Sequence, residues 1–316
     1  MKSSVLIRSA YTLFLFVNLG LLSSLSSAPK IPEVPSDVIL KQDLAFLAPE
    51  REEKLDLYQS KDHASDKRVP AVVIIHGGGW RNGDKYRMRE YVTGTTLAQA
   101  GYVAVSINYE LRAPKRWPNN LHDCKNAVRW LRLNADSLGV DPDRIGVIGG
   151  SAGGHLAMMV AYTPNDPKLS SEELYPGISD HVSACVNMYG ISNLLTRCST
   201  TEDGTPTDEL RLKTNLFKKS REEASVMWKN ASPVTHVKAD SPPTLSYHGT
   251  ADTIVDRDQS KEVHQVLQEV GVESTLNMVE GATHAWPLKT KDFDFTAEMV
   301  AFFDRHLRKA KIQPAE

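Results

Sequence analysis

The chain has 316 residues, 41% of them hydrophobic and 24% charged, with 37 basic against 39 acidic residues and three cysteines. That is an ordinary globular balance, long enough for two average domains or for one large α/β domain. It carries no basic tract for a phosphate backbone, too few cysteines for a disulfide scaffold and neither a CxxC pair nor an HExxH helix for zinc, so no nucleic-acid partner, metal or cofactor is expected.

In chain order, Lys2 and Arg8 precede the apolar run "YTLFLFVNLGLL" and the small-residue stretch "SSLSSA". This is the layout of a secretory signal over residues 1–28, with a membrane-anchored N-terminus as the alternative. Removing these residues takes away two basic groups and deepens the negative balance. The mature part, 29–316, then reads as one exported domain, secreted or periplasmic. No later stretch is long and apolar enough to span a bilayer, so no stable membrane insertion is expected once the signal is gone. "APKIPEVPSD" (28–37) reads as an extended, proline-rich lead-in.

From there, short apolar runs alternate with helical patterns. "AVVIIH" (71–76), "YVAVSINY" (102–109), "RIGVIGG" (144–150), "VSACVNMY" (182–189), "TLSYHG" (244–249) and "STLNMVE" (274–280) suit strands covered on both faces. Segments 119–139, 258–271 and 295–309 place apolar residues at three- and four-residue spacing, and the first two stop at glycine. Strand and helix in alternation predict a mostly parallel, doubly wound α/β sheet with helices on both faces. Segments 163–181 and 191–241 interrupt the alternation as loops or short cap-like insertions.

The chemistry gathers at the ends of these strands. After "AVVIIH" comes "HGGGW", three glycines offering bare backbone N–H groups; after "RIGVIGG" comes "GGSAGGH", in which Gly149, Ser151 and Gly153 form G-x-S-x-G at a strand–turn–helix junction. Glycines two residues to either side leave room for a serine at the apex of a sharp turn. A serine hydroxyl needs a base, and in this architecture the acid and then the histidine follow it in the chain. Of His264, His284 and His306, only His284, in "EGATHAWP", falls in a loop directly after a strand. Asp252 is the acid nearest the end of "TLSYHG", while Asp256 and Asp258 look like helix caps. The oxyanion of an acyl-transfer intermediate needs fixed donors, which the N–H groups of Gly77, Gly78 and Ala152 are placed to supply. Gly79 supports the loop shape, and His76 anchors it. Trp80, Tyr189 and Trp286, with Asn187, are candidate pocket residues, although packing is an equal role for a tryptophan. Cys185 and Cys198 are close enough in sequence to pair; three unpaired thiols are the alternative.

"HGGGW", "GGSAGGH", "HGTADTIV" and "GATHAW" together resemble the α/β-hydrolase superfamily, across roughly residues 40–308. The similarity is to its HGGG-bearing branch: hormone-sensitive-lipase-like carboxylesterases, acetyl esterases and bifunctional feruloyl/acetyl-xylan esterases. "NYELRAP", "DCKNAVRWLRLNA" and "GVDPDRIGVIGGSAGGHLA" look most like the carbohydrate-esterase subgroup. The resemblance implies an α/β-hydrolase fold, a Ser151–Asp252–His284 triad, oxyanion donors at Gly77, Gly78 and Ala152, and hydrolysis of a small-molecule or polysaccharide ester. Little chain precedes the first strand, "KLDLYQ", so the large helical cap of many lipases is not expected, which favours short acyl groups. An amide hydrolase of the same fold, arylformamidase-like or a peptidase, would use the same residues. A non-catalytic binding protein of this fold is the remaining alternative, and the presence of His284 argues against it.

Overall fold

The computed structural model describes residues 33–64, 66, 68–111, 116–171, 173–197 and 216–308. The expected signal, 1–28, and Cys198 lie outside the described residues. Eight strands form one sheet: β1 (Val38–Leu44), β2 (Leu55–Ser60), β3 (Val69–Ile75), β4 (Val103–Ile107), β5 (Val140–Gly150), β6 (Ala184–Met188), β7 (Thr244–Gly249) and β8 (Ser274–Val279). Their order across the sheet is β1-β2-β4-β3-β5-β6-β7-β8. β1 and β2 run antiparallel to their neighbours, and every pairing from β4 to β8 is parallel.

The continuous apolarity of the central strands follows from burial on both faces. In β3, Ala71, Val73 and Ile75 pack into one core layer, whereas Val72 and Ile74 point into the other. The first layer is closed by α2 (Arg116–Leu133), α4 (Ala152–Tyr162) and α6 (Asp258–Glu269), the second by α1 (Met88–Gln99) and α7 (Thr296–Leu307). A short α3 (Ala135–Leu138) ends at Gly139 in the left-handed region, splitting the single expected helix 119–139 into two. Within 191–241 the described part contains α5 (Ser225–Asn230) and a 3₁₀ turn, Pro233–His236. Cys124 and Cys185 are buried free thiols.

Two elements were not anticipated. β1 is an edge strand with only Val38 fully buried, so its apolar pattern is too sparse to read. α1, "MREYVTGTTLAQ", is rich in residues that disfavour helix, and packing decides it. Gly94 stands where a Cβ would come within 2.7 Å of the ring of Tyr58, which is completely buried on β2.

That contact sets two effects against each other. In Gly94→Ala the intrinsic helix gain is about 1 kcal/mol, whereas overpacking against a fixed ring costs about 1–3 kcal/mol. The expected result is a net loss of stability, read as a lower urea midpoint with an unchanged slope. A midpoint at or above wild type would show that the α1–β2 contact yields.

Candidate active site

A parallel sheet brings the C-terminal ends of its strands to one edge, where the loops after β3, β5, β7 and β8 meet. Ser151 follows β5 directly. Its backbone lies at φ 57°, ψ −123°, a region sparsely populated by L-residues. A Cβ at Gly149 would sit 2.2 Å from the Gly153 carbonyl oxygen, and one at Gly153 would sit 2.2 Å from that of Ile75. Bare backbone is therefore a steric requirement on both sides of the turn. The Ser151 N–H donates to the Met188 carbonyl at 2.9 Å, tying the apex to β6.

Asp252 and His284 arrive on two loops laced together. Thr250 N–H donates to the Val279 carbonyl at 2.9 Å and Ala251 N–H to that of Ala282 at 3.0 Å. Gly249 permits this approach, since a Cβ there would lie 2.1 Å from the Ala282 oxygen. His284 Nδ1 donates to Asp252 Oδ2 at 2.6 Å, and its Nε2 faces Ser151 Oγ at 2.9 Å. The structure thus joins all three residues in one hydrogen-bonded chain. It brings neither His264, bonded to Ser274, nor His306, beside Glu273, to the serine. Asp256 accepts the Asp258 N–H through its side chain, as a turn at the start of α6, while Asp258 instead pairs with Lys261.

Asp252 is held by more than His284. Its Oδ1 accepts the N–H groups of Ile254 and Val255 at 2.8 and 2.9 Å. On the inner side, His248 Nε2 lies 3.3 Å from Oδ2 and 3.0 Å from the Val255 carbonyl. Because that carbonyl can only accept, Nε2 carries the proton, and Nδ1 accepts from the Ser260 hydroxyl at 2.7 Å. Burial acts to raise the Asp252 pKa, but the bonds from His248, His284 and Val255 outweigh it and hold the carboxylate well below its usual range. His248 was not singled out from sequence, although it stands four residues before Asp252 in "HGTAD", at the end of β7.

The glycine loop lies across from the serine. Gly78 and Gly79 take φ of 118° and 62°, which favour glycine. A Cβ on Gly77 would meet the Gly150 carbonyl at 2.8 Å and Ser151 Cβ at 3.3 Å, so this loop runs against the serine turn. Ala152 is the first residue of α4, where an N–H has no intrahelical acceptor. His76 fixes the loop: its Nδ1 donates to the Gly77 carbonyl at 2.7 Å and its ring stacks on Tyr109 at 4.3 Å. A cavity of about 750 Å³ opens at Ser151, with Gly77, Gly78, Ala152 and His284 in its wall, a volume suited to a small organic ligand.

Of the candidate pocket residues, only Trp80 lines this cavity. It is 3% exposed, and its Nε1 donates to His155 Nδ1 at 3.2 Å. Tyr189, Trp286 and Asn187 do not line it, which corrects the expectation from sequence. The Tyr189 hydroxyl is turned inward, donating to the Trp286 carbonyl at 2.5 Å, and its ring packs edge-on behind His284 at 5.0 Å. Trp286 is enclosed by Tyr189, Tyr247, Phe293 and Phe295. Asn187 is buried, accepting the Gly190 N–H. Sequence reading also missed Arg89, on α1, whose guanidinium donates to the Tyr189 hydroxyl at 3.2 Å and pairs with Glu90.

A serine, an imidazole and a buried carboxylate so arranged can pass a proton from the hydroxyl while the carboxylate holds the imidazole's orientation. Comparison with known proteins bears on what such a site does. A family model described as BD-FAE matches residues 55–267. The probable carboxylic ester hydrolase LipM of Mycobacterium tuberculosis is 33% identical over 232 residues, 72% of this chain and 52% of that protein. The chain spans about half to two-thirds of the length of the curated relatives it matches first. Among solved structures, a truncated carbohydrate esterase from gut microbiota aligns with a TM-score of 0.76 at 27% identity, over 89% of this chain and 100% of that one. The native esterase Est2 of Thermogutta terrifontis, a planctomycete, aligns at 0.70 and 26% identity, over 90% and 97%.

The histidines that support this site contribute to the acid response of the fold. Burial lowers the pKa of both His76 and His155 from 6.5 to about 4. His155 is moreover fixed neutral, its Nε2 donating to the Ala231 carbonyl while Nδ1 accepts from Trp80. At these two groups the unfolded chain binds more protons than the folded one between pH 6.5 and about 4, so they contribute a loss of stability as pH drops through that window, joined by His122, lowered to about 4, and opposed by Asp123, raised to about 6. Urea midpoints across it should show this slope, and His155→Gln should make it shallower. An unchanged slope would place the acid sensitivity elsewhere.

Proposed function

The chain belongs to the BD-FAE family of α/β hydrolases, and from that premise we propose that it is a serine ester hydrolase working through an acyl-enzyme on Ser151. The observation that carries this reading is the hydrogen-bonded chain Ser151–His284–Asp252, at 2.9 and 2.6 Å, opening on the cavity.

Ser151 Oγ attacks the ester carbonyl carbon while His284 Nε2 takes the hydroxyl proton. Asp252 stabilises the imidazolium without itself being protonated. The carbonyl oxygen becomes an oxyanion within reach of the N–H groups of Gly77, Gly78 and Ala152; one such donor is worth about 2.7–4 kcal/mol of transition-state stabilisation. As the intermediate collapses, the C–O bond to the alcohol breaks and His284 returns its proton to the leaving oxygen. A water, deprotonated by His284, then attacks the acyl carbon, and the proton goes back to Ser151 Oγ as the acid leaves.

Short acyl groups are the proposed preference, which the propionate- and butyrate-bound structures of the similar Thermogutta terrifontis esterase support. Acetyl or feruloyl esters on polysaccharide are the proposed natural substrates. The carbohydrate-esterase description of one structural neighbour supports this choice.

Hydrolysis of p-nitrophenyl acetate, butyrate and octanoate tests the reading, followed by acetylated xylan and methyl ferulate. Turnover is expected to fall with chain length and to vanish in Ser151→Ala, and Asp252→Asn should lower kcat by on the order of 10⁴. Equal rates for wild type and Ser151→Ala would refute it; turnover of amide but not ester substrates would move the chain to the amide-hydrolase alternative.

A further inference from the structure

The chain as a whole carries more acidic than basic residues, yet the cavity at Ser151 reverses that balance. Arg81, Arg87, Arg89 and Arg197 all line it, and among the described residues the single carboxylate in its lining is Glu90. Glu90 is 1% exposed and ion-paired with Arg89; Arg87 acts on it only as a more distant cation, so one carboxylate stands against four guanidinium groups. Asp252, the other nearby acid, has its side chain fully buried behind His284 and saturated by donors. Arg197 is buried, with its Nη2 donating to the Ile254 carbonyl at 2.6 Å. Arg81 and Arg87 differ from these. Both are exposed, and among the described residues neither side chain has an ion-pair or hydrogen-bond partner.

An arginine gives a permanent charge and a planar fork of donors that matches a carboxylate. Two unclaimed guanidinium groups in the wall of a concave site, with low-dielectric protein behind them, focus a positive potential onto whatever binds beside the serine. An uncharged ester makes no use of that potential. We propose that the substrates of this site are esters whose non-reacting portion carries a carboxylate, which Arg81 and Arg87 bind while Ser151 attacks the ester carbonyl. The inference rests on the ester-hydrolase reading above and narrows its substrate class. The charge belongs either to the alcohol portion, as in an acidic sugar, or to the acyl portion, as in a dicarboxylic half ester; the chemistry recognised is the same.

Two matched pairs separate these sources: 4-acetoxybenzoate against 4-acetoxybenzamide for the alcohol side, and phenyl hemisuccinate against phenyl succinamate for the acyl side. Values of kcat/KM, net of spontaneous hydrolysis, are compared for the wild type and for the surface double variant Arg81→Gln/Arg87→Gln. At about 0.01 M salt, where the Debye length is about 30 Å, the anionic member of at least one pair is expected to be favoured about tenfold. The ratio should fall toward one in the double variant, and in the wild type at about 1 M salt. Which pair responds identifies the side that carries the charge. Ratios at or below one in both pairs, or a preference that survives the double variant, overturn this proposal while leaving the esterase intact. If none of the four esters is turned over while p-nitrophenyl acetate is, this proposal is overturned and the esterase stands; if p-nitrophenyl acetate is not turned over either, the ester-hydrolase reading fails and this one falls with it.

Discussion

Ser151 is held in a backbone conformation that an L-residue resists at a cost of order 1–3 kcal/mol, and much of the surrounding structure exists to keep it there. β5 and α4 supply the two rigid arms of the turn. Gly149 and Gly153 let those arms and the end of β3 approach to distances that no side chain permits. The hydrogen bond to Met188 ties the apex to the next strand. A strained turn survives when its neighbours over-determine it, and here they are backbone groups of three adjacent central strands. The same closeness carries the glycine loop up against the serine.

Around this fixed point the electrostatics are organised in two shells. Asp252 is a buried carboxylate that would be costly to ionise alone, yet two backbone N–H groups and two imidazoles keep it charged. One imidazole, His284, reaches outward to the serine; the other, His248, is locked inward by Val255 and Ser260 and has no route to the cavity wall. The two histidines share one carboxylate oxygen but differ in which ring nitrogen donates to it. Only His284 therefore presents a free acceptor to the hydroxyl.

The first segment interrupting the strand–helix alternation, 163–181, is secured by buried charge rather than by regular structure. Arg129 and Lys125 on α2, both 0% exposed, gather Asp180 and the carbonyls of Thr163, Ser171 and Ile178 from segment 163–181. Such clusters contribute little net stability relative to apolar packing but penalise any other arrangement, because a broken pair leaves a buried charge unmatched. Ile191 and Arg197, in the second interruption, reach the cavity itself.

How much of this was legible beforehand depended on the range of the interaction involved. The six central strands, the helices on α2, α4, α6 and α7, and the serine turn are written in local patterns: apolar runs bounded by glycine, three- and four-residue spacing, and G-x-S-x-G between a strand and a helix. Ser151, Asp252 and His284 could be picked because each stands just past the end of a strand, and a parallel sheet brings those ends together. α1 and β1 were illegible because their sequences are weak in local preference and are ordered by partners such as Tyr58. The inward turn of Tyr189 and Trp286, the second imidazole on Asp252, and the arginines of the cavity wall were equally hidden. By itself, then, the sequence determined the elements and the chemistry at their ends, since both arise within a few residues of chain. Which side chains face the cavity and which face the core was decided only by the tertiary structure, because direction and charge environment depend on neighbours tens of residues away.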